Sequence, residues 1–130
     1  RDERVGGGGA NGDGAVTSRR GRTRRQSVRY NYLSSVERYD LAANAWEAVA
    51  PMGTERRKHG VAVLDGNLYA VGGQSSYNYL SSVERYDLAA NAWEAVAPMG
   101  TERRKHGVAV LDGKLYAVGG EKKNNRRTKR

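Results

Sequence analysis

Residues 30–73 and 77–120 are the same 44-residue sequence apart from one position, Asn67 in the first copy and Lys114 in the second. The copies start 47 residues apart. A fixed period in this range constrains the fold more than any average of composition. Each copy reads as a supersecondary unit that cannot bury its apolar face alone, so neighbouring copies must stack to make a core.

Within one period, four short apolar or aromatic runs are separated by turn signals: Gly60–Leu64, Leu68–Val71, Val83–Asp87 and Ala92–Ala97. Four to six residues is an ordinary strand length. Asp65-Gly66 joins the first pair, and Asp112-Gly113 does so in the next copy. Both residue types tolerate the positive φ of a two-residue hairpin turn. Lys114 and Asn67 follow these turns directly, so the one difference between copies sits beside a hairpin tip. The second strand is expected to end at Gly72-Gly73, where two glycines signal backbone conformations or close approaches that a Cβ would block. Pro98 has no amide proton and should end the fourth strand. Residues 87–93 are too short and too closely flanked by Tyr86 and Trp93 to form a helix. Alternation fails between Val83 and Tyr86, which predicts a bulge or twist there.

The repeats are near neutral, which matters because the whole chain is not. The net charge of +9 comes from residues 1–30, with eight arginines against three acids, and from residues 121–130, with six bases against one acid. Residues 1–29 are glycine- and arginine-rich with little apolar surface to bury, and read as a disordered basic tail. Residues 30–120 are the repeat region, and residues 121–130 form a second basic tail. Ser27, after Arg24-Arg25-Gln26, is a candidate phosphosite for a basophilic kinase. The tails suit solubilisation, nuclear import, or weak salt-sensitive contact with nucleic acid. Nucleic-acid binding is the minor reading, because the folded part is not basic. The chain lacks cysteine, so no disulfide or Cys-ligated metal is available to it, and cytoplasmic residence suits that composition. No apolar run approaches the length of a membrane helix. The first residue is not Met, and the chain reads as a piece of a longer protein.

Gly72-Gly73, Tyr86-Asp87, Trp93, Pro98-Met99, Arg103 and His106-Gly107 follow one another at fixed spacing. The other copy supplies Tyr39-Asp40, Trp46, Pro51-Met52, Arg56, His59-Gly60 and Gly119-Gly120. This pattern resembles the Kelch repeat, and Ser-Val-Glu-Arg-Tyr-Asp is similar to the Kelch domains of BTB-Kelch proteins. The resemblance covers residues 30–120. It implies an all-β fold built from propeller blades, each a four-stranded antiparallel sheet, with Trp46 and Trp93 as structural residues. Counted in strands, the chain holds a half blade, a full blade and a half blade, a partial propeller. Propellers hold about four to eight blades. The half blades are complementary, so head-to-tail self-association of three chains would close six blades.

The resemblance also implies a protein-interaction role, with a protein partner held by the loops between second and third strands and between fourth and first strands. Those loops carry Ser75, Ser76, Tyr77 and Asn78, and the basic sets Arg56-Arg57-Lys58 and Arg103-Arg104-Lys105. Guanidinium groups hold carboxylates in bidentate geometry, so the expected partner is acidic. The competing reading for Arg56 and Arg103 is pairing with blade acids such as Glu55 or Asp40. The parent context implied is a substrate-recognition part of a cullin-type ubiquitin ligase adaptor, with actin binding as the alternative. His59 and His106 each stand without a companion ligand, which favours structural hydrogen bonding over metal binding. No cofactor is expected. An enzyme needs a unique asymmetric constellation, and identical copies do not present one.

Overall fold

The computed structural model describes residues 15–17, 23–25 and 28–124. The chain divides into two units, residues 1–31 and 32–130. In the first, β1 (Ala15–Thr17) pairs antiparallel with β2 (Thr23–Arg25). That short ladder falls within the stretch read as a tail; the remainder of residues 1–27, Ser27 included, and residues 125–130 lie outside the described residues.

The second unit is all-β among its described residues. β3 (Val36–Asp40) pairs with β4 (Ala45–Val49) in a two-stranded sheet. A four-stranded antiparallel sheet follows, in sequential order: β5 (Gly60–Leu64), β6 (Asn67–Gln74), β7 (Tyr79–Asp87) and β8 (Ala92–Val96). β9 (Gly107–Leu111) and β10 (Lys114–Val118) make the last two-stranded sheet. The architecture is therefore one complete four-stranded blade between two half blades.

Local chemistry explains the turns. Asp65 and Gly66 have φ of 52° and 80°, and Asp112 and Gly113 repeat this at 51° and 75°. Positive φ at both central residues is the turn whose twist matches a tight hairpin. Residues 88–91 form a turn rather than a helix, stopped by Asn91 at φ 51°. Asp87 Oδ1 accepts from the amides of Ala89 and Ala90.

The core sits in the full blade, at Ala70, Val71, Val83 and Tyr86, with Glu84 and Arg56 also buried. Both Val83 and Glu84 are buried although they point to opposite faces of β7. This corrects the expected bulge at Val83–Tyr86: the β7–β8 register runs unbroken from Val83↔Val96 to Asp87↔Ala92. Alternation is lost there because the blade is covered on both sides. One face meets residues 50–56, and the other meets Leu115 and Ala117 of the last half blade. The irregularity lies instead between Val71 and Gly73, against β7. Its cause is the Gly72-Gly73 pair, at φ 63° and 94°. A Cβ on Gly73 would lie 2.6 Å from the Arg57 carbonyl oxygen, so only glycine fits. β6 also continues through the glycines to Gln74 instead of stopping at them.

The blade and the last half blade approach through their first strands. A Cβ on Gly60 would collide with the Val108 side chain, so glycine sets the spacing between β5 and β9.

Candidate functional site

The loop after the fourth strand docks the same way in each copy. Met52 and Arg56 amides donate to Ser34 and Leu33 carbonyls, and Met99 and Arg103 amides donate to Ser81 and Leu80 carbonyls. These bonds hang residues 51–59 on the stretch that leads into β3 and residues 98–106 on β7.

Arg56 then turns inward. It is only 3% exposed, and its guanidinium donates to the carbonyls of Gly72 (2.9 Å) and Ser82 (3.0 Å), to Ser82 Oγ (3.1 Å) and to Glu84 Oε2 (2.7 Å). Glu84 Oε1 accepts from the Gly53 amide at 2.6 Å. Sequence reading placed Arg56 on the partner-facing surface, or against Glu55 or Asp40. The structure instead makes it an internal clamp on Glu84, a residue that reading missed. The signal was the register: Ala70 opposite Glu84 puts a carboxylate over the most buried stretch of β6, where a charge must find a partner. Arg103 occupies the equivalent place and donates to the Gly119 carbonyl at 2.8 Å. The described residues bring no carboxylate to it.

Arg57 and Arg104 lie flat rather than reaching out. Arg57 sits 4.7 Å above the Tyr32 ring, and its backbone exchanges two 2.9 Å bonds with Gln74. Arg104 sits 4.6 Å above the Tyr79 ring, bonds Gln74 Oε1 at 2.6 Å and pairs with Glu121 at 2.7 Å. Tyr32 and Tyr79 went unread as stacking platforms, although they recur at the same position in each copy. Lys58 and Lys105 are the outward cations of the two loops. Both have positive φ, 56° and 58°, and the Lys105 amide donates to the Lys58 carbonyl at 2.9 Å. Partial desolvation, and then Arg104, Lys105 and Arg57, hold the Lys58 ammonium below its ordinary value. Glu121 is held below the usual carboxylate range by Arg104, and further by Lys105 and Lys58. Three cations from two repeats, Lys58, Arg104 and Lys105, therefore act on one carboxylate, and Arg57 stands beside Lys58.

The loop between second and third strands joins the same edge. Glu55 accepts from Ser76 Oγ (2.5 Å) and from the Ser76 amide (3.3 Å). Ser75 and Asn78 close the turn with a 2.8 Å backbone bond. Tyr77, at its tip, is 86% exposed, and Asn78 is exposed beside it. Residues 78–82 with Glu102 and Lys123 border an open cleft of about 480 Å³. Of the residues expected to meet a partner, the structure thus gathers Lys58, Lys105, Ser75, Ser76, Tyr77 and Asn78 at the loop edge, engages Arg57 and Arg104 within it, and buries Arg56.

His106 Nε2 donates to the Val71 carbonyl at 3.0 Å, the structural role read for it. Burial keeps His59 and His106 below the ordinary imidazole value. Trp93 bridges blades: its indole donates to the Ala50 carbonyl at 2.9 Å and its ring lies 5.2 Å from that of Tyr86.

A sequential four-stranded antiparallel sheet flanked by two-stranded ones, the glycine pair and the Tyr–Trp couple define a repeat-built β-propeller module, with its loops clustered at one edge. The Kelch motif family model matches residues 21–53 and 55–100, more than half of the chain, and the chain belongs to the Kelch repeat family. It is similar to Kelch-like protein 13 of Homo sapiens, 50% identical over 38 residues, which is 29% of this chain and 6% of that protein. Kelch-like protein 8 of Caenorhabditis elegans is 51% identical over 41 residues, covering 32% and 6%. Kelch-like ECH-associated protein 1A of Danio rerio is 46% identical over 39 residues, covering 30% and 6%. The matched stretch is a small fraction of those relatives' length. Among solved structures, that of YjhT superposes with a TM-score of 0.57 at 24% identity, over 70% of this chain and 35% of that one; the likeness is one of fold.

Proposed function

We propose that this chain is a protein-interaction module whose loop edge binds an acidic segment of a protein partner. The observation that carries the reading is the gathering of Lys58, Arg104 and Lys105 about the Glu121 carboxylate, which pairs with Arg104 at 2.7 Å and lies 4.0 Å from the Lys105 ammonium, with the Lys105 amide bonded to the Lys58 carbonyl at 2.9 Å. Like charges held this close raise one another's energy, and an incoming carboxylate relieves that. Tyr77 beside Asn78 adds an exposed aromatic anchor of the kind enriched at binding hot spots. Kelch repeats serve protein binding, and one relative is named for its association with another protein. The parent role we favour is substrate recognition within a cullin-type ubiquitin ligase adaptor, on the strength of the likeness to Kelch-like proteins. The open half blades give the chain a second kind of contact, with itself.

The test is titration of a fluorescein-labelled glutamate-rich peptide, followed by anisotropy. Binding should weaken steadily between low and physiological salt. Lys58→Glu with Lys105→Glu should lower affinity at least tenfold, a change of about 1.4 kcal/mol or more, with the circular dichroism spectrum unchanged. Equal affinity for the double variant and the parent would overturn the reading.

A further inference from the structure

The chain builds one inter-repeat joint in full and displays its two halves separately. In the complete joint, β7 adds to β6, with Val83 opposite Val71 and Glu84 opposite Ala70. Arg56 clamps Ser82 and Glu84, Trp93 donates to the Ala50 carbonyl, and Asn91 Oδ1 accepts from the Ala50 amide. Every participant recurs 47 residues away.

At one end, β10 is a two-stranded sheet's outer edge, and Val118 is 63% exposed where Val71 is 2%. Arg103 has made its bond to Gly119, as Arg56 has to Gly72, and meets no carboxylate among the described residues. Between the full blade and β10 lies a crevice of about 380 Å³ bordered by Val83, Val96, Ala97 and Leu115. At the other end, β3 offers the matching edge. Glu37 on it has no cation partner among the described residues, and Trp46 is 65% exposed.

We infer that β3–β4 of a second copy completes the β9–β10 half blade, with Glu37 of that copy entering the Arg103 clamp and its Trp46 entering the crevice beside Ala97. The occupant is a copy of this chain because the charge, the apolar ring and the strand edge all match in one register. In that register Val36 lies opposite Val118 and Glu37 opposite Ala117. Trp46 then donates to the Ala97 carbonyl, and Asn44 accepts from its amide. An open sheet edge is otherwise a template for uncontrolled pairing; here the glutamate and arginine select one partner and one register.

The 130-residue chain has no cysteine, which makes cross-linking decisive. Val36→Cys with Val118→Cys should give disulfide-linked multimers under mild oxidation, resolved on a non-reducing gel and collapsed by reductant. Val71→Cys with Val83→Cys, the same register pair inside the complete blade, should cross-link within one chain. Light scattering should give a whole multiple of 14.2 kDa for the parent chain, and Trp46→Ala should shift assembly to at least tenfold higher concentration. A parent chain that stays at one mass unit, with only the Val71/Val83 pair forming its disulfide, overturns the inference. So does a multimer that lacks the Val36–Val118 cross-link, because its copies meet elsewhere.

Discussion

Arg56 and Lys58 lie two positions apart and have opposite fates. Arg56 is buried with four acceptors; Lys58 stands among cations at the loop edge. Removing one partner of a buried ion pair strands the other, at a cost of about 3–5 kcal/mol. Arg56→Ala should therefore lower the unfolding free energy by that amount in urea titrations. Lys58→Ala, by contrast, should leave the urea midpoint essentially where it is. Both residues belong to one basic triplet in the sequence, and nothing local separates them. Arg56 is drawn in because Glu84 reaches the same depth from the neighbouring strand. Arg57 is retained at the surface by the Tyr32 ring.

At the scale of the element, hairpins and glycine turns were legible because their causes are local. Asp65-Gly66 and Asp112-Gly113 adopt the conformations their residue types favour. The glycine pair was legible as a special site, but its role required the fold. Gly66 and Gly73 both have positive φ, 80° and 94°. An added Cβ meets nothing within 4 Å at Gly66, and meets Arg57 O and His59 at Gly73. Gly66→Ala should cost about 1–2 kcal/mol, the price of left-handed backbone alone. Gly73→Ala should cost at least about 2 kcal/mol more, since the loop carrying Arg57 must also move. Thermal or urea melts of the two variants side by side check this. Equal losses would mean that the Arg57 loop yields freely.

Across the repeat unit, pH acts through the half-buried histidines. His59 and His106 have lowered proton affinity when folded, chiefly from burial, with Arg56 adding to the effect at His59 and Arg103 at His106. The unfolded chain then binds protons first as pH falls through about 6.5. The stability they confer is complete above that value and is lost below it. Glu121 acts in a lower window: its carboxyl is held down by Arg104, so its contribution is present above about 4.5 and lost as acid protonates it. The urea midpoint should therefore fall between pH 7.5 and 5.5, and His59→Gln with His106→Gln should flatten that change. A midpoint independent of pH over this interval would contradict the assignment.

The two copies separate what the sequence determines from what tertiary contacts decide. Period, strand order, hairpin turns and the Tyr–Trp couple are the same in both, since each depends on residues a few positions apart. The Tyr39–Trp46 and Tyr86–Trp93 rings sit at 5.4 and 5.2 Å. Strand length and burial differ although the residues are identical. Tyr79–Asp87 is a nine-residue strand, whereas the same string at residues 32–40 is extended only from Val36. β6 runs to Gln74 where β10 stops at Val118. Tyr86 is 7% exposed and Tyr39 is 41%. A strand lengthens and a ring is buried only where a neighbouring strand supplies hydrogen bonds and cover. Arg56 follows the same rule: its residue type and loop position are written in the chain, but its depth is set by a carboxylate 28 residues away that only folding brings within 2.7 Å.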